Sequence, residues 1–210
     1  MKRQNVSNEV ILRLYNDGKL TSTYLVLMAL AGILTSVAVL TNSIPVLIGA
    51  MVIAPALPPV ALAIFGFAGG QSRMALRGLG TAGLGFVVAI VGAILITLIL
   101  RLTGVITPKT DILHLPLIDE RVRPGWYSLI AAGAAGVAAV IGIVRKRLDT
   151  LIGTVAAVAL VPAGCAAGIS LVAGDGVRAL GGVVLLLVNV MLLCAAGLLT
   201  IAFVRVDELE

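Results

Sequence analysis

The stretch from residue 42 to residue 59 constrains this chain more than any other. It opens an apolar run long enough to cross a membrane, then interrupts that run with Pro55, Pro58 and Pro59. A proline has no backbone N–H, and its ring clashes with the carbonyl four residues earlier. The carbonyls of Met51, Ala54 and Pro55 are therefore expected to lose their helical partners. In hydrocarbon such groups need other partners or must line a cavity. A second break is expected at Pro162, four residues beyond Val158, where Val161, Pro162, Ala163 and Gly164 interrupt a later apolar run.

The rest of the chain places these breaks in a bilayer. Hydrophobic residues make up 60% of it and charged residues 12%. A soluble domain carries about 45–50% and about 25% respectively. The expectation is an all-α integral membrane protein with the lipid bilayer as its principal partner. The net charge of +5 does not mark a nucleic-acid binder. The basic residues flank apolar runs, as orientation signals do, and aromatic residues are too sparse for base stacking. Cys165 and Cys194 lie within apolar runs and give neither a disulfide framework nor metal-ligand spacing. No cofactor and no metal is expected.

Apolar runs of about 17–25 residues mark spanning helices. Six are expected, at 23–41, 44–67, 75–100, 126–144, 151–173 and 177–204, with proline breaks in the second and fifth. Residues 1–20 form an N-terminal segment. There Val10, Ile11, Leu14 and Tyr15 recur at helical spacing and Gly18 provides a stop, which predicts a short amphipathic helix on the membrane surface. A single membrane domain covers 21–204, and 205–210 is a tail. With the N-terminus inside, Lys and Arg divide 10 inside to 5 outside, so both termini are expected in the cytoplasm. The connection 101–125 then lies outside. It carries the one histidine, His114, which reads as a solvated loop residue.

An internal repeat is visible at a shift of 104 residues. Gly32 falls on Gly136, Gly49 on Gly153, Pro58 on Pro162, Gly70 on Gly174 and Gly78 on Gly182. Each half, about 21–100 and 126–204, holds three helices, and an odd number sends the second half into the membrane upside down. Inverted repeats with interrupted helices in matching positions are the pattern of transporter sites near the bilayer midplane. The competing explanation is that the prolines are packing kinks.

No Asp, Glu, Lys, Arg or His lies well inside any expected span. That argues against a proton relay and against an enzyme, since no nucleophile stands beside a base. Polar groups within the spans include Asn189, Thr35, Ser36, Thr81, Thr97, Thr154 and Ser170. The candidate solute path comprises Asn42, Ser43, Met51, Ala54, Pro55, Pro58, Pro59, Val158, Pro162 and Asn189. Its polar surface is mainly backbone. The expected function is a transporter or channel for a small solute or ion, running between the two broken helices. The alternative is a non-transporting module that assembles with itself or a partner through the glycine-rich helix faces.

The residues also resemble a known family. Asn42 and Ser43, the block 48–55 (Ile-Gly-Ala-Met-Val-Ile-Ala-Pro), Pro59, Glu120, Arg121, Pro124, the run 159–162 and Asn189 look like the signature of the bacterial membrane proteins called domain of unknown function family 389. The resemblance runs from about residue 20 to 203. It implies a multi-pass inner-membrane protein and supplies no activity. The chain departs from the pattern at Gly70 and Gln71, where members often carry Gly-Asp; the second half keeps Gly174 and Asp175.

Overall fold

The structure, a computed structural model, describes residues 12, 14–106, 115–123, 125–144 and 150–203, with the backbone alone described at 150–159. His114, Pro124 and the tail lie outside the described residues. Helices α1 (Ser22–Leu40), α2 (Ile44–Ile53), α3 (Leu57–Ala68), α4 (Ser72–Leu102), α5 (Pro116–Val122), α6 (Trp126–Val144), α7 (Thr150–Val172) and α8 (Gly176–Phe203) follow in order, with no strand among the described residues. Helices α1, α4, α6 and α8 are long and apolar enough to cross a membrane, and the bent α2–α3 pair makes a fifth candidate. Within α7 the fully described apolar segment is Leu160–Val172.

The starts and stops follow from local chemistry. Thr21 caps α1, its hydroxyl accepting from the Tyr24 N–H at 3.1 Å, which satisfies one orphan donor of the first turn. Helices α1, α3 and α7 each end in a left-handed residue: Asn42 (φ 51°), Gly70 (φ 66°) and Gly174 (φ 89°). In each case the next N–H reaches back to the last turn: Ser43 to the Ala38 carbonyl (2.8 Å), Gln71 to Gly66 (2.8 Å) and Asp175 to Ser170 (3.0 Å). This hydrogen-bond pattern closes the orphan carbonyls and turns the chain sharply. Asn42 is the single non-glycine among the described residues with positive φ. Asn is one of the few L-residues that visit that region routinely.

Helix α3 is buried on nearly every side, and residues 160–170 of α7 are buried without interruption. These two form the centre. Helix α3 packs against α4 and α8; α7 packs against α8, α4, α1 and α2. Around them, large apolar side chains such as Val87, Leu95, Leu187 and Leu199 point outward, the reverse of a water-facing surface. Helices α4 and α7 run side by side in the same direction. The contacts step from Gly164–Ile90 to Gly168–Ile94, and the Arg101 guanidinium donates to the Val172 carbonyl at 2.7 Å.

Close approach depends on glycine at a few points. A Cβ at Gly32 would strike the backbone of Ala89, and one at Gly136 would strike the backbone of Leu193. A Cβ at Gly78 would meet Pro59 and Ala63, and one at Gly182 would meet Ala163 and Ala167. Each pair of contacts is related by the shift of 104 residues read in the sequence. The same shift carries Ser22 to Trp126, Leu40 to Val144, Ala68 to Val172 and Ser72 to Gly176, all of them helix ends.

Two elements at the margins add detail to the helical plan. The connection 101–125 is not irregular throughout. It contains α5, whose Leu117, Ile118 and Val122 are buried against α7 and α8. The described part of the N-terminal segment packs against the helix bundle. Leu14 is 2% exposed, Gly18 touches Leu62, and the Arg77 guanidinium donates to the Tyr15 hydroxyl. The shift of 104 carries Leu12 to Pro116 and Gly18 to Val122, so each half has a short helical segment ahead of its first long helix.

Candidate functional site

The break at Pro55 is real and its parts are distinct. Ala54 is forced into extended backbone (φ −70°, ψ 112°), because a residue before proline is driven out of the helical region. Its carbonyl accepts from the Ala56 N–H at 2.9 Å, so one of the three freed carbonyls is satisfied locally. Helix α3 then starts at Leu57. Pro58 and Pro59 fall in its first turn, where the missing N–H groups would be unpaired anyway. They start a helix rather than break one, a correction to the reading of all three prolines as breakers. The axes of α2 and α3 meet at 54°. Met51 (4% exposed), Ala54 (5%) and Pro59 are buried, while Pro55 and Pro58 are half-buried. Helix α2 leans on α1 and α7, which brings the break beside the second proline helix.

At Pro162 the expected break is absent. Helix α7 runs continuously through it from Thr150 to Val172. One isolated proline removes one hydrogen bond, that of the Val158 carbonyl, and the helix continues past it. The side chain of Val158 lies outside the described residues. Asn189 is fully buried in α8. Helices α7 and α8 are antiparallel, with Gly182 against Ala163 and Ala167, so Asn189, two turns further along α8, sits at the level of Val158. Asn42 is exposed and serves as the left-handed stop of α1. Ser43 makes no capping hydrogen bond with its side chain. The path residues thus divide into a bend at Pro55 with α7 beside it, a level of α7–α8 holding Val158 and Asn189, and an outer turn at Asn42.

A second cluster lies where α1, α4 and α7 meet. The fully buried polar residues among those described are Thr35, Ser36, Thr97, Ser170 and Asn189, none of them charged. Ser36 and Thr97 hydroxyls lie 2.7 Å apart, and the Thr97 hydroxyl donates to the Ala93 carbonyl at 2.7 Å. The Cys165 thiol points to the Ala89 carbonyl at 3.8 Å and faces Thr35. Sequence reasoning named these hydroxyls as available without grouping them. Which way each points is set by helix packing, and hydroxyls two helices apart leave no spacing signal.

Charge gathers at the ends of the bundle. Arg178 pairs with Asp119 and Asp175, each at 3.4 Å, and Arg123 with Asp119 at 3.4 Å. Asp175 also accepts from the Arg178 N–H at 3.0 Å, capping α8. At the other end Lys19 and Arg77 lie over the Tyr15 ring. Among the described residues no three His, Cys, Asp or Glu side chains converge on a metal-binding geometry.

These features define a class: an all-helical protein with several helices long and apolar enough to span a membrane. The family model described as domain of unknown function DUF389 matches residues 51–195, from the end of α2 into α8, and the chain belongs to that family. No curated protein and no solved structure matches it.

Proposed function

We propose that this chain is a six-span inner-membrane transporter or channel for a small uncharged solute, built from two inverted halves with both termini in the cytoplasm. The observation that carries this reading is the reciprocity of contacts between the halves. Ile64 of α3 meets Gly197 of α8, while Gly168 of α7 meets Ile94 of α4. Shifting Ile64 by 104 gives Gly168, and shifting Gly197 back by 104 gives position 93. A two-fold relation swaps partners in this way, and three helices per half put such an axis in the membrane plane. Helix α2, which leads into the bend at Pro55, packs against α7, the helix that carries Pro162. The buried polar groups described there carry no charge, which favours a neutral permeant over an ion.

The test is flux. Purified protein in liposomes, challenged with osmotic steps of glycerol, urea and small sugars and with isotopically labelled Na⁺, K⁺ and Cl⁻, is expected to speed re-swelling for an uncharged solute. Correctly inserted protein that passes none of the uncharged solutes would refute the proposal. Reporter fusions after Gln71 and Lys146 are expected to read cytoplasmic, and one after Lys109 external.

One observation favours the assembly reading. Gly80 and Gly83 on α4 have nothing within 4 Å of a built Cβ, leaving a shallow open track of the kind that seats a neighbouring helix. Loss of a cross-linked oligomer in Gly80→Leu and Gly83→Leu, with no flux in the parent, supports that reading instead.

A further inference from the structure

The two ends of the bundle are built on related positions but carry different charge. Where α5 meets α8, Arg121, Arg123 and Arg178 each pair with a carboxylate of Glu120, Asp119 or Asp175. Moved back by 104 residues, those three acids fall on Asn16, Tyr15 and Gln71 at the other end, none of them a carboxylate. The same shift moves Val177 and Gly181 onto Arg73 and Arg77, and Arg123 onto Lys19. The end where the N-terminal segment meets α4 thus carries cations without the acids. Among the described residues no carboxylate, Asp17 included, forms an ion pair with Lys19, Arg73 or Arg77.

Tyr15 gathers two of these cations. The Arg77 guanidinium donates to the Tyr15 hydroxyl and lies 5.8 Å from the ring centroid. The Lys19 ammonium lies 5.3 Å from the same centroid and donates to the Asn16 side-chain oxygen at 2.8 Å. The two charges are therefore held within about 11 Å of each other, about one Debye length at 0.1 M salt. Arg73 stands one turn before Arg77 on the same face of α4, and all three cations are exposed. Like charges gathered this closely repel, and an anion shared between them removes the repulsion. Further along, the same face of α4 turns apolar. Leu76, Leu84, Val87 and Val91 follow the cations at helical spacing and are exposed.

We propose that Lys19, Arg73 and Arg77 form a headgroup site for an anionic phospholipid, with its phosphodiester among the cations and an acyl chain along the apolar face of α4. Arginine presents parallel N–H donors that match two phosphate oxygens, and lysine adds a point charge. A basic cluster at the edge of an apolar surface is where an anionic headgroup meets a membrane protein. A free phosphate answers the cations alone and leaves the apolar face of α4 without a partner. A zwitterionic lipid brings its own ammonium, which the cluster repels. The site goes beyond the transport reading and does not depend on it.

Native mass spectrometry of the intact protein, released from micelles doped with equal amounts of phosphatidylglycerol and phosphatidylcholine, reads bound lipid by its mass. The parent is expected to retain phosphatidylglycerol over phosphatidylcholine. Each cation removed should weaken that retention about fivefold. Arg73→Gln/Arg77→Gln should therefore lower it about 25-fold, while Arg123→Gln, at a cation already paired with Asp119, leaves it unchanged. Should the double variant not fold, Lys19→Gln, at an exposed side chain, repeats the test with an expected loss of about fivefold. Equal retention of the two lipids by the parent overturns the proposal, as does an equal loss in Arg77→Gln and Arg123→Gln. Inorganic phosphate that displaces phosphatidylglycerol as readily as excess lipid does also overturns it, by giving the cations to a free anion. Adducts of protein mass that vanish with the cations, with no lipid adduct, overturn it in favour of a second copy of the chain.

Discussion

Replacing Gly32 by alanine tests the packing argument at its tightest point. A Cβ there lies 2.7 Å from the carbonyl carbon and 2.8 Å from the Cα of Ala89, against the 3.4 Å at which ordinary contact begins. The neighbour is backbone, which cannot rotate aside. The Ala89 carbonyl oxygen lies nearer still, so helices α1 and α4 must part by more than about 0.7 Å, and overpacking of this kind costs about 1–3 kcal/mol. The gain from taking glycine out of a helix interior offsets about 0.5–1 kcal/mol of that. Gly80 on the same α4 helix is the internal control, because a Cβ there meets nothing within 4 Å. Gly80→Ala should leave stability unchanged or raise it by up to about 1 kcal/mol. The expected separation between the two variants is thus about 1–3 kcal/mol. In a Cys194→Ala background, which removes the partly exposed second thiol, a thiol-reactive fluorophore follows unfolding in detergent, since Cys165 is shielded until the bundle opens. Gly136→Ala, against Leu193, should behave like Gly32→Ala. Equal unfolding temperatures for Gly32→Ala and Gly80→Ala would refute the claim that backbone contact sets the α1–α4 spacing.

Other outcomes follow from the same geometry. Asn42→Ala places an unsupported L-residue at φ 51° and should cost about 1–2 kcal/mol, with Asn42→Gly neutral; an Asn42→Ala protein of parental stability would contradict the turn assignment. Replacing Pro55, Pro58 and Pro59 together by alanine should straighten the 54° bend and lengthen the distance between spin labels at the ends of α2 and α3 by about 4 Å. Pro58→Ala alone should leave that distance unchanged. Arg178→Ala removes its pairs with Asp119 and Asp175 and should cost up to about 1 kcal/mol at low salt, fading at high salt. A loss independent of salt would show packing rather than charge.

Most of the helical plan is legible in the sequence, because an apolar environment imposes it. The run 126–144 coincides with α6 residue for residue, and the ends of α1 and α7 fall within one residue of expectation. What escaped depended on counting prolines by context. Three prolines within five residues read as a single break, yet only Pro55 lies where a helical N–H was needed; Pro58 and Pro59 occupy a first turn. Pro162 shares its chemistry with Pro55 and leaves α7 whole, since propensity is local and the surrounding bundle decides whether one lost bond is tolerated. Helix α5 was hidden because seven residues are too few for a periodic signal, although Leu117, Ile118 and Val122 follow a proline in the order a buried face requires. Of the candidate path, the bend was legible. The hydroxyl cluster was not, since it is assembled by three helices far apart in sequence.

The bend also bears on how the protein is made. Helix α2, with 10 residues, reaches about 15 Å, half of a bilayer core about 30 Å thick. On the six-span reading proposed above, the extended backbone after it would enter the membrane interior early in synthesis. Its neighbour α7 emerges about ninety residues later, a delay on the order of 5–20 s at ordinary elongation rates. For that interval the freed carbonyls have no α7 to shelter against. Nascent chains halted between α4 and α6 should remain cross-linked to the insertion machinery through residues near Ala54, and release should coincide with the arrival of α7.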